Sequence, residues 1–173
     1  MKRAIQLGVV VALIGVGFWL WTVLVPTPER AVRSRLSKLA ATLSFKSGAG
    51  LIAKALQAEK TADFFTTDVV VDMSVIGFEP ITVNGRDEVV QLAMAARTRL
   101  TSLKVEFPDM NVTISPDGQS AKVNLTGKAT VPGERDISAQ EFNFQLKKVD
   151  GKWLIYHIET VKTLAAATTG AMN

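Results

Sequence analysis

The chain has no cysteine, one histidine and one tyrosine among 173 residues. The first absence excludes disulfides, thiolate nucleophiles, thiolate metal sites and a lipoprotein-type lipid anchor. A single imidazole excludes a histidine-rich zinc site, so no metal is expected. A strong excess of one charge is missing too. The 20 basic and 16 acidic residues give +4, and without Lys2 and Arg3 the balance is 18 against 16, or +2. That balance gives no support to nucleic-acid binding, which uses clustered Lys and Arg. A phosphate-cradling glycine loop is also absent. Gly48-Ala49-Gly50 lacks the remaining pattern and follows no strand. No cofactor is expected.

What is present begins with an apolar run. Met1-Lys2-Arg3 precedes Ala4 to Val25, which carries no charge and only Gln6 and Thr22 as clearly polar residues. As a helix it spans roughly 33 Å, enough to cross a hydrocarbon core of about 30 Å. Trp19 and Trp21 sit near its far end, where interfacial aromatics belong. Pro26 and Pro28 stop it. The run exceeds a signal-peptide core, and no small-x-small cleavage site precedes Pro26. Residues 1–28 therefore read as an uncleaved single-pass anchor with a proline linker. The basic start puts the N-terminus inside and exports the domain, although Arg30, Arg33, Arg35 and Lys38 count on the other side. Gly8 and Gly15, seven apart, offer a small-residue face for association in the membrane.

The remainder, 47% hydrophobic and 21% charged over the whole chain, is one globular domain's worth. Glu29 to Lys46 places Val32, Leu36, Leu39 and Leu43 on one helical face, with Arg30, Arg33, Ser34, Ser37 and Lys38 on the other. That basic face is either solvated or set against anionic headgroups. Ser47 to Gly50 is a loop, and a second helix runs from Leu51 to Phe65, with Phe64 and Phe65 as core. Val69 to Ile76 is β-branched and reads as the first strand, Ile81 to Val83 as the second. Arg86 to Thr98 is a third helix. Four long strands follow. The first, from Leu103 to Ile114, is interrupted at Pro108-Asp109, which marks an edge or a bulge. Ser115 to Gly118 turns into a one-sided strand over Ala121 to Val131. Asp150-Gly151 joins the strand around Phe142, Phe144 and Leu146 to Trp153–Val161 as a hairpin. That last run is apolar on both faces and belongs inside the sheet. Residues 165–173 form a small, polar tail expected to fray. Helices to one side of a curved antiparallel sheet make an α+β domain.

Four stretches carry a family resemblance over residues 29–164. They are Ala62 to Asp68 running into Val69-Val70-Val71-Asp72-Met73, Asn84-Gly85-Arg86-Asp87-Glu88 opening the third helix, the turn Asp117-Gly118, and Asp150-Gly151-Lys152-Trp153 with His157 four residues on. In this order they resemble the nuclear-transport-factor-2-like superfamily, which includes polyketide-cyclase-like and ketosteroid-isomerase-like proteins. The resemblance implies a cone-shaped, highly curved sheet around about three helices, a cavity at the open end and dimerisation through the sheet. It does not imply one function, because such a fold hosts enzymes, ligand binders and scaffolds. Isomerases of this type pair an Asp base with an oxyanion hole of a Tyr and a protonated Asp. The lone Tyr156 stands on the last strand instead of the first helix, and dehydratases of the fold resemble a two-histidine arrangement that one histidine cannot supply.

The remaining candidates are Asp72, a general base if burial raises its pKa, and His157 as its partner. The alternation puts His157 in phase with Trp153 and Ile155, and Tyr156 on the opposite face. A ligand cavity would then be lined by Phe64, Asp72, Trp153, Ile155 and His157. The expected function is a non-catalytic, membrane-anchored binding or assembly module serving a protein partner or a small apolar ligand. The alternative is a membrane-tethered isomerase, cyclase or hydrolase with Asp72 as base.

Overall fold

The computed structural model describes residues 27–74, 79–132 and 137–161. The expected anchor, with Trp19 and Trp21, and the tail over 165–173 lie outside these residues. Among the described residues no helix is long and apolar enough to cross a membrane.

Three helices precede or interrupt the strands. Helix α1 spans Pro28–Leu43, α2 Leu51–Ala62 and α3 Arg86–Arg99. The start of α1 is set by Thr27, whose Oγ1 accepts from the Arg30 amide at 3.4 Å, and by Pro28 in the first turn, where no amide is needed. Val32, Leu36 and Leu39 recur at helical spacing and are fully or almost fully buried, each worth about 1.5–3 kcal/mol by transfer from water. Helix α3 is capped by Gly85, whose φ of 89° suits glycine, and Glu88 reaches back to accept from the Asn84 amide at 2.8 Å.

Seven strands form one curved sheet: β1 Phe65–Met73, β2 Ile81–Asn84, β3 Lys104–Glu106, β4 Met110–Ile114, β5 Ser120–Thr130, β6 Ile137–Val149 and β7 Lys152–Thr160. The order is β2-β1-β7-β6-β5-β3, with β4 also on β5. Pro108 breaks one edge strand into β3 and β4, as the sequence indicates. Asp150 and Gly151 both take positive φ, 49° and 77°, which gives the β6–β7 turn the twist of a two-residue hairpin.

One expectation is corrected. The sheet is mixed, because β1 runs parallel to β7. Turn signals fix the direction of strands joined by short loops, whereas β1 and β7 are joined through most of the domain and meet only on folding.

The inner face of the sheet, against the helices, is apolar. Val69, Val71, Val123, Phe144, Leu146, Trp153, Ile155 and Ile158 pack there with α1. Two arginines tie the helices down. Arg35 stacks over the Phe64 ring at 4.3 Å and donates to the Trp153 and Asp63 carbonyls. Arg97, 1% exposed, donates to the Thr42 carbonyl in the last turn of α1 and lies over Phe45. No described carboxylate pairs with it, so the negative end of α1 serves as its counter-charge. Burial lowers the Arg97 pKa from its ordinary value.

Candidate functional site

The five expected cavity residues fall on two sides of the sheet. Phe64, Trp153 and Ile155 are core. Asp72 and His157 stand on the outer face, away from α1. For Asp72 the strand alternation already separates it from the buried Val69 and Val71. For His157 the cause is a β-bulge. Leu146 pairs with Ile155 but Gln145 pairs with His157, so Tyr156 is the extra residue. Beyond it the phase reverses, and Ile158 takes the inward position that unbroken alternation assigns to His157. Tyr156 and His157 therefore share the outer face, which corrects the expectation that they oppose each other. The Tyr156 hydroxyl donates to Gln145 Oε1 at 2.7 Å, and His157 Nε2 lies 3.7 Å from Glu159 Oε2.

The register assembles a polar row across six strands. Asn111 on β4 faces Asn124 on β5, then Asn143 on β6, Glu159 on β7, Asp72 on β1 and Thr82 on β2. Asn143 Nδ2 donates to Glu159 Oε1 at 3.2 Å, and Thr82 Oγ1 donates to Asp72 Oδ1 at 2.8 Å. At the β4 end an open groove of about 740 Å³ is lined by Asn111, Asn124 and Asn143, by Arg33, Lys122 and Glu141, and by the apolar Met110, Leu125 and Phe142. Asparagine is disfavoured in strands, so one in each of three neighbouring strands is the mark that this row leaves in the sequence.

The chemistry of this surface is hydrogen bonding and charge pairing in reach of water. His157 is 25% exposed at its side chain and Glu159 44%, so their pair is screened. Carboxamides, which donate and accept, make up half of the row. Among the described residues no group of three or more His, Asp or Glu could hold a metal ion.

A family model for the SnoaL-like domain matches residues 34–159. No curated protein matches the sequence. Among solved structures, a candidate scytalone dehydratase from Novosphingobium aromaticivorans is similar with a TM-score of 0.59 at 19% identity, over 79% of this chain and 84% of that one. The yeast UBP3-associated protein BRE5 also gives 0.59, at 13% identity, over 80% of this chain and 99% of that one. An NTF2-like protein with a cystatin-like fold, again from N. aromaticivorans, gives 0.57 at 14% identity, over 89% and 90%. At these identities the likeness shows the fold alone. With the family model matched from the middle of α1 to the end of β7, the chain belongs to the SnoaL-like domain family.

Proposed function

We propose that the protein is a membrane-anchored binding or assembly module that presents the outer sheet face to a protein partner and performs no reaction of its own. The observation that carries this reading is the division of the candidates. Phe64, Trp153 and Ile155 are core, and the polar groups Asp72, Tyr156, His157 and Glu159 stand on the outer face. Catalysis draws on preorganised dipoles in a water-excluded site, and a row of part-exposed carboxamides suits recognition better. The anchor and the export of the domain rest on Ala4 to Val25 and the basic start. A second copy meeting sheet to sheet is one such partner.

The test is a photo-crosslinking residue in place of Asn124 in the full-length protein, expressed in cells. An adduct of twice the mass identifies a second copy, and another mass identifies a different partner. A lone monomer, there and at Asn143, would overturn the reading.

A second reading is favoured by one observation, that Asp72 and His157 come to one face of neighbouring strands. As a membrane-tethered enzyme the protein would use Asp72 as base. A turnover abolished by Asp72→Asn and by His157→Ala, with the fold intact, would establish it.

A further inference from the structure

The two layers of the domain carry opposite charge. Residues 27–63 and 85–102, which contain the three helices, hold 10 Lys and Arg against 5 Asp and Glu, or +5. The other described residues hold 6 against 9, or −3. The two lysine–carboxylate pairs and the His157–Glu159 contact among the described residues all lie on strands, so Lys38, Lys46, Lys54, Lys60 and Arg99 have no described carboxylate within pairing distance.

The same layer exposes large aliphatic side chains. On α2, Leu51, Ile52 and Leu56 are 69%, 78% and 57% exposed. Beside them Ala55, Val90 and Met94 line a groove of about 520 Å³ between α2 and α3. Lys54 and Lys60 on α2 lie within four residues of Leu56, and Arg99, which ends α3, lines the groove together with Glu59. Exposed apolar side chains flanked by lysine and arginine are the pattern of a helix lying in a membrane interface.

We infer that the helical layer docks on an anionic lipid surface, with Leu51, Ile52 and Leu56 entering the headgroup boundary and the lysines meeting phosphates. This rests on the anchored reading above. The described residues begin at Thr27, the cap of α1, so an anchor before it would join the domain in this same layer. Charge decides between occupants. A second copy docked face to face would set one basic layer against another, whereas an anionic bilayer complements it.

The absence of cysteine allows a single reporter. Full-length Ile52→Cys carrying a nitroxide is placed with vesicles of phosphatidylcholine alone or mixed with phosphatidylglycerol, and Lys122→Cys on the outer sheet face serves as the control. Flotation after an alkaline wash reads the anchor separately. On the mixed vesicles the label at position 52 should lose contact with a water-soluble nickel chelate several-fold and gain contact with oxygen, while the label at 122 stays in water. Lys54→Glu with Lys60→Glu should return the label at 52 to water. Equal water contact at 52 and 122 on mixed vesicles would overturn the inference. So would dipolar broadening at 52 that disappears on dilution with unlabelled protein, the mark of a second copy. If flotation fails but the label at 52 still contacts mixed vesicles, the anchor reading falls and the lipid surface stands.

Discussion

Ile155 and His157 are two positions apart on β7 and live in different environments. The first is fully buried against α1 and the inner face, the second part-exposed beside Glu159. The inner face is a packed apolar layer in which each methylene counts. The outer face is a mosaic of hydrogen bonds and weak pairs in contact with water. One strand thus divides its duties, with stability on one side and recognition, in our proposal, on the other.

Substitution should expose that contrast directly. Ile155→Ala leaves a cavity in the core and is expected to cost about 2–5 kcal/mol, read by chemical denaturation. His157→Ala should change stability by no more than about 0.5 kcal/mol, as surface changes usually do. A comparable cost at His157 would break the comparison.

Gly127 sharpens it from the side of packing. A Cβ there would stand 2.7 Å from the Phe142 ring, so Gly127→Ala forces the aromatic to move. A cost of about 1–3 kcal/mol is expected, again by denaturation. Tyr156→Phe removes only the hydroxyl that donates to Gln145, with an expected loss of about 0.5–1.5 kcal/mol and no change in register. Amide exchange at Gln145 and His157 would report whether the bulge survives.

The smallest effect concerns pH, because aliphatic packing does not titrate and polar features can. The Ser115 hydroxyl and the Gln119 amide both donate to Asp117 and hold its carboxyl below the ordinary value. A carboxyl lowered by folding contributes stability above its unfolded pKa, and that contribution fades as pH falls through the folded value. Ser115→Ala should move the Asp117 titration, followed by carbon NMR, back toward the ordinary carboxylate range. An unmoved midpoint would assign the shift elsewhere.

Much of the fold was legible in the residues. Helical spacing located α1 within three residues at its C-terminal end, and Asp150-Gly151 marked the hairpin. Pro108 marked the broken edge. The end of α2 was less so. By helical spacing Phe64 and Phe65 end the helix, yet Phe65 opens β1, because two adjacent apolar residues fit either period.

By itself the sequence determined which residues are apolar, where short loops turn, and which chemistries lack their atoms. Those are local properties, settled by side-chain type and by backbone freedom over a few positions. Tertiary structure alone decided that β1 lies parallel to β7, that Tyr156 bulges, and that three asparagines, Glu159, Asp72 and Thr82 fall into one row. A single inserted residue in a strand exchanges the two faces beyond it, and its place is set by the partner strand's register. No pattern within β7 records that register, so the site assigned by alternation came apart where the neighbouring strand shifted phase.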